Sequence, residues 1–143
     1  MNRLVITIVG TTLLTFSLVG VFAQSATPVV VRNEGEPLIF DVREYSRSWI
    51  LGDTSGDGRT DYALQMDDRG RKKMEAVDHN NDGFMDNFYV YENGVLQMQK
   101  LDTNHDGQID LWIFMYRGVY IREYQRDTNH DGTIDLVRTF GES

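Results

Sequence analysis

The sequence contains no cysteine, so a disulfide framework, a thiolate metal site and a lipid-modified cysteine anchor are all excluded. Its two prolines, Pro28 and Pro37, both precede residue 38, and no later proline interrupts regular structure. Beyond residue 22 no apolar run is long enough to cross a bilayer. There is no H-E-x-x-H pair, no nucleophile-elbow serine and no glycine-rich phosphate cradle. Acid pairs outside the repeated segments described below are few: Asp67 with Asp68, and Glu34 with Glu36. A chain so composed has no recognised catalytic constellation and no covalent cross-link to stiffen it.

The amino terminus differs from the rest. Met1-Asn2-Arg3 carries a positive charge, residues 4–22 carry none, and Val21-Phe22-Ala23 places small residues ahead of Gln24. This is the layout of a secretory signal peptide over 1–23, cleaved near Ala23/Gln24. It leads us to expect a secreted or periplasmic protein with no stable membrane anchor after cleavage. Residues 24–37, with both prolines and a polar Asn-Glu-Gly-Glu run, read as a linker with a short edge strand at 29–31. The expected folded domain is 38–143.

The formal charge is −8, and from Gln24 onward 13 basic and 22 acidic residues leave −9. The excess is concentrated. Twelve of the fifteen aspartates occupy the first, fifth and ninth positions of four nine-residue segments: 53–61 (DTSGDGRTD), 78–86 (DHNNDGFMD), 102–110 (DTNHDGQID) and 127–135 (DTNHDGTID). The segments recur every 24 or 25 residues, and without those twelve carboxylates the mature chain would be +3. A solvated acidic face spreads its carboxylates, whereas this chain gathers them at a fixed period, the mark of a repeat architecture.

Oxygen-bearing side chains at alternate positions, followed by a glycine that permits a sharp turn, suit a hard cation. The expected donors are Asp53, Ser55, Asp57 and Asp61 with the Arg59 carbonyl in the first loop, and Asp78, Asn80, Asp82 and Asp86 with the Phe84 carbonyl in the second. In the third they are Asp102, Asn104, Asp106 and Asp110 with the Gln108 carbonyl, and in the fourth Asp127, Asn129, Asp131 and Asp135 with the Thr133 carbonyl. An all-oxygen set selects calcium over zinc or copper, so up to four Ca²⁺ are expected. Gly58, Gly83, Gly107 and Gly132 supply the turn. Ser55 and the positive Arg59 make the first loop the weakest of the four. His79, His105 and His130 occupy positions that face solvent rather than an ion.

Over their first nine positions the loops resemble the EF-hand loop. They then depart from it: Leu64, Tyr89, Ile113 and Arg138 stand where an EF-hand has its bidentate glutamate. The ninth-position aspartate is more similar to the DxNxDGxxD calcium loops between strands of FG-GAP and VCBS-type repeats. Gly52–Leu64 (GDTSGDGRTDYAL) is especially close, and thrombospondin type 3 repeats use related loops. The resemblance implies calcium ligation between strands. The missing glutamate implies affinities of about 10⁻⁴–10⁻³ M.

Between loops the sequence alternates and is rich in aromatic and β-branched residues, and each repeat reads loop, strand, tight turn, strand. Asn93-Gly94 is a strong hairpin signal. With a hairpin at 38–44 and 47–51 and a last strand at 136–140, the expected fold is all-β. It is an antiparallel up-and-down meander of about nine strands, curled or barrel-like. Alternation counted from the eighth loop position puts Tyr62, Leu64, Met66, Met85, Tyr89, Tyr91, Ile109, Leu111, Ile113, Met115, Ile134, Leu136 and Phe140 on the expected core face.

Function narrows to two classes. The first is a calcium-binding, non-enzymatic module of the cell envelope or exterior that meets a protein or glycan partner. The second is a calcium-dependent enzyme, or an accessory subunit of one, acting on an extracellular polymer. The acidic rim argues against nucleic acid as a partner.

Overall fold

The computed structural model describes residues 38–141. Eight strands form one antiparallel sheet in chain order: β1 (Ile50–Gly52), β2 (Tyr62–Met66), β3 (Lys72–Val77), β4 (Asn87–Glu92), β5 (Val95–Leu101), β6 (Leu111–Tyr116), β7 (Tyr120–Arg126) and β8 (Leu136–Thr139). β1 and β8 are the two edges and do not pair with each other, so the sheet is open rather than a closed barrel. The expected signal segment, linker and strand at 29–31 lie outside the described residues.

Local sequence explains the hairpins. Asn93 and Gly94 take φ of 53° and 80°, and Arg117 and Gly118 take 55° and 71°. Two consecutive positive φ values make the tight turn whose twist matches that of the flanking strands. At the β2–β3 turn Asp67 donates its N–H to the Arg71 carbonyl at 2.8 Å. Each of the three hairpins has one register shift, at Gln65/Met66, Val90/Tyr91 and Phe114/Met115. A bulge repeated at one place adds the same extra twist to each repeat.

The expected first hairpin is not formed. A single 3-10 turn, Val42–Glu44, stands there, capped by the Asp41 carboxylate, which accepts from the Arg43 N–H at 2.9 Å. The flanking residues pair with the second loop instead of with β1. Val42 N–H donates to the Gly83 carbonyl at 3.1 Å, and Met85 N–H to the Phe40 carbonyl at 2.7 Å. Pairing with a loop replaces the ninth strand and lays 38–49 as a strap across one face of the sheet.

That strap decides where the core lies. Cross-strand register aligns Ala63 with Ala76, Ala76 with Phe88, Phe88 with Lys100, Lys100 with Trp112 and Trp112 with Gln125, all on one face. Ala63, Ala76, Met85, Phe88 and Tyr45 form the buried cluster, with Leu38, Ile39, Phe40, Val42, Trp49 and Ile109 packed against it. The Phe40 and Phe88 rings meet edge-on at 5.1 Å, and the Tyr45 hydroxyl donates to the Ile39 carbonyl at 2.6 Å. Complete burial of Phe88, 0% exposed, contributes about 1.5–3 kcal/mol relative to exposure.

The expected core face is therefore corrected. Tyr62, Leu64, Tyr89, Tyr91, Leu111, Ile113, Met115 and Leu136 are only half-buried, and Met66 and Phe140 are exposed. Two causes combine. Residues 38–49 cover the other face, and alternation does not carry through the loop exit, because the eighth and ninth loop positions lie outside the strands. Met85 and Ile109 accordingly pack on the Phe88 side, and Ile134 is buried. The uncovered face carries a polar network in its place: Tyr62 (2.5 Å) and Tyr91 donate to the Glu75 carboxylate, and Lys72 Nζ lies 2.6 Å from it.

Candidate metal centre

The four aspartate-rich loops join β1 to β2, β3 to β4, β5 to β6 and β7 to β8, so they lie along one rim with the tight turns along the other. Each is closed at its neck by one main-chain bond. Asp61 donates to Gly52, Asp86 to Val77, Asp110 to Leu101 and Asp135 to Arg126, all at 2.9–3.0 Å. Successive loops are also tied together: Asp78 donates to the Asp61 carbonyl, Asp102 to Asp86 and Asp127 to Asp110, each at 2.9 Å. The first and ninth aspartates of neighbouring repeats are thus brought side by side by the sheet.

Inside the loops one bonding plan recurs. The first aspartate accepts from the N–H of the sixth-position glycine: Asp53 from Gly58 at 2.8 Å, Asp78 from Gly83 at 2.8 Å, Asp102 from Gly107 at 2.8 Å and Asp127 from Gly132 at 2.7 Å. The fifth accepts from the seventh N–H, as Asp57 does from Arg59, Asp82 from Phe84, Asp106 from Gln108 and Asp131 from Thr133. The ninth turns back to the second N–H, as Asp61 does to Thr54, Asp86 to His79, Asp110 to Thr103 and Asp135 to Thr128. Asn80, Asn104 and Asn129 donate through Nδ2 to Asp82, Asp106 and Asp131 at 2.9–3.0 Å. The four glycine N–H bonds depend on backbone geometry: Gly58, Gly83, Gly107 and Gly132 have φ between 84° and 94°.

The carboxylates are not equivalent. In the first loop Asp53 accepts from Gly56, Gly58 and Ser55, and Asp61 from Thr54 and Ser55, so both oxygens of both groups are engaged. The Gly58 N–H and the Thr54 N–H, respectively, hold Asp53 and Asp61 below the ordinary carboxylate range. In the second loop Asp78 is 4% exposed, and its Oδ1 is buried without a hydrogen-bond partner among the described residues. Burial pushes Asp86 up, against the His79 N–H bond that pulls it down. Asp78 also lines a cleft of about 430 Å³ with Val42, Arg59, Asp82 and Phe84.

Position four escaped the sequence reading. Gly56, Asn81, His105 and His130 stand there with φ of 79°, 59°, 60° and 58°. The position thus needs a left-handed residue, and a Gly/Asn/His set at one repeat position is the signal that reveals it. Its side chains also bridge repeats: His130 Nδ1 lies 3.4 Å from Asp110 Oδ2, and His105 Nδ1 lies 3.9 Å from Asp86 Oδ2.

Among the described residues, no group of three or more His, Cys, Asp or Glu side chains converges as a metal-holding cluster. The bonding plan explains this, since each first, fifth and ninth aspartate has an oxygen turned to a loop N–H. The donor chemistry nonetheless fits a hard cation: the side-chain donors are all oxygens, and the second loop contains a buried carboxylate oxygen that nothing among the described residues satisfies. Asp78, Asn80, Asp82 and Asp86 are the residues of that loop that would hold it.

No protein-family model matches the chain, and no curated protein matches it. Among solved structures it is similar to a chain in the crystal structure of accessory secretory protein 1, 2 and 3 in Streptococcus pneumoniae, at 17% identity and a TM-score of 0.48. The match covers 76% of this chain and 21% of that one, so the described protein spans about a fifth of its neighbour's length.

Proposed function

We propose that this is an exported, non-enzymatic calcium-binding repeat protein whose loops take up calcium and thereby order one rim of an open sheet. The observation that carries the reading is the buried, unpartnered Oδ1 of Asp78, in a loop whose other donors are oxygens. A buried carboxylate oxygen without a partner is costly, and a divalent cation satisfies it while neutralising the crowded charge. The reading is further supported by the fourfold recurrence of one backbone plan, since plain turns do not require three carboxylates in nine residues. Calcium would act on the fold rather than on a substrate: it offsets repulsion among twelve aspartates on a chain of net −8.

The test is calcium titration of the purified, chelator-stripped protein by calorimetry. The reading expects saturable binding, strongest at the second to fourth loops, accompanied by a rise in thermal midpoint. Absence of binding up to about 10 mM, beyond the weak end of the range for extracellular modules, overturns it.

A further inference from the structure

The repeat has an unfinished junction at each edge of the sheet. Strands that follow a loop (β2, β4, β6, β8) alternate with strands that precede one (β1, β3, β5, β7), and each of β2, β4 and β6 is flanked on both sides by loop-preceding strands. Among the described residues β8 has one such neighbour, β7, and β1 has only β2. The inter-loop ladder is incomplete in the same way. Asp61, Asp86 and Asp110 each accept from the next loop, whereas Asp135 has no following loop among the described residues and Asp53 has no preceding one. The consequence is visible in burial: the ninth-position aspartates Asp61, Asp86 and Asp110 are buried but Asp135 is exposed, and the first-position Asp78, Asp102 and Asp127 are buried but Asp53 is exposed.

We propose that β8 of one copy pairs with β1 of a second copy, head to tail, continuing both the sheet and the loop rim across the junction. The register follows from the three internal examples. Tyr62 faces Val77, Asn87 faces Leu101 and Leu111 faces Arg126, so in each case the first residue of a loop-following strand meets the last residue before a loop. Extended to the edges, the rule sets Leu136 against Gly52, Val137 against Leu51 and Arg138 against Ile50 of the second copy. Parity agrees. Val137 lies on the Phe88 face through Gln125, and Leu51 lies on it through Ala63, so the two meet on one face.

The main chain agrees as well. The Phe140 N–H donates to the Arg122 carbonyl at 2.8 Å, and antiparallel alternation therefore turns the Val137 and Thr139 main-chain groups away from β7. The Asp53 N–H of the second copy would meet the Asp135 carbonyl as Asp78 meets Asp61. Exposed apolar side chains mark both edges: Leu51 is 43% exposed, Ile50 57% and Val137 49%. Neither edge strand contains proline, and the one charge in them, Arg138, lies with Tyr124 on the face opposite Phe88. Because the two edges differ, the contact is heterologous and builds chains of copies rather than a closed pair.

The experiment is sedimentation velocity on the purified full chain over a concentration series, in chelator and about 0.5 M NaCl, where repulsion between aspartates is screened. These conditions separate the proposal from the calcium reading, whose failure leaves strand pairing untouched. The wild type is expected to form dimers and longer species as concentration rises. Val137→Lys and Leu51→Lys each spoil one edge, and each alone should be monomeric. Their equimolar mixture should form dimers and stop there, because Val137→Lys keeps a sound β1 and Leu51→Lys a sound β8. Both sites are exposed; if either variant unfolds by circular dichroism, Thr139→Lys or Ile50→Lys takes its place. A monomeric wild type throughout overturns the proposal, as do single variants that still associate and a mixture that stays monomeric.

Discussion

The main-chain N–H of Asp78 donates to the carbonyl of Asp61 at 2.9 Å, joining the ninth position of the first loop to the first position of the second. The same bond recurs between the second and third loops and between the third and fourth. Sheet pairing therefore sets the distance between loops, and the loops in turn hold strand ends whose side chains pack on the Phe88 side. Loop geometry at the rim and core packing are coupled through Met85 and Ile109 at the eighth loop position.

Replacement of Asp78 by asparagine separates charge from shape. The asparagine oxygen still accepts from Gly83, but the buried unpartnered charge is gone. In chelator, urea unfolding should find Asp78→Asn at least as stable as the wild type. In calcium the order reverses, and the binding stoichiometry falls by one. A variant about 1 kcal/mol less stable than wild type in chelator would mean that the carboxylate serves the metal-free fold instead.

Gly107 isolates the backbone requirement of a loop. Its φ is 84°, and an added Cβ would meet nothing within 4 Å, so substitution costs conformation and not space. Gly107→Ala should lower stability by about 1–2 kcal/mol in denaturant melts. Gly52 is the control, with an ordinary φ and a Cβ position 3.4 Å from Tyr62 Cδ1, at ordinary contact distance. Its alanine variant should be much milder.

The position of the core is tested by a pair of truncations. Phe88→Ala empties a fully buried site and should cost about 3–5 kcal/mol. Ile113→Ala, on the open face and half-buried, should cost less than about 2 kcal/mol. Equal losses would mean that both faces are packed alike.

Acid should weaken the β2–β3 hairpin in a defined window. The Arg71 side chain beside Asp67 lowers that carboxyl from 3.8 to about 2, so the contribution is complete above pH 3.8 and is lost as pH falls towards 2. Burial pushes Glu75 up, but the Lys72, Tyr62 and Tyr91 hydrogen bonds outweigh it and leave the group below its ordinary 4.5, so it acts in the same direction. Asp86 works oppositely: burial raises it, and protonating it relieves a penalty. Denaturant melts from pH 5 to pH 2.5 should therefore show a falling limb that is shallower in Asp67→Asn than in the wild type.

The eight strands, their order and the rim of loops were legible in the sequence because period and turn residues repeat. Asn93-Gly94 and Arg117-Gly118 announce their turns, and the DxNxDGxxD spacing fixes where strands stop. The core was not legible. Nothing local to residues 38–49 says that Phe40 and Val42 pair with Gly83 and Met85, since that is a contact between segments more than forty residues apart. Face assignment failed with it, because alternation was carried through the eighth and ninth loop positions, which are not extended strand. The repeated oxygen-bearing positions were readable from spacing, but the orphaned oxygen of Asp78 was not, since it depends on which N–H each carboxylate meets.

Calcium uptake by the loops is tested most sharply by calorimetry on wild type and Asp78→Asn side by side. Saturable binding to the wild type, one site fewer in the variant, and a calcium-dependent rise in thermal midpoint that the variant only partly retains are expected. Identical titrations for the two proteins, or no heat of binding in either, would contradict it.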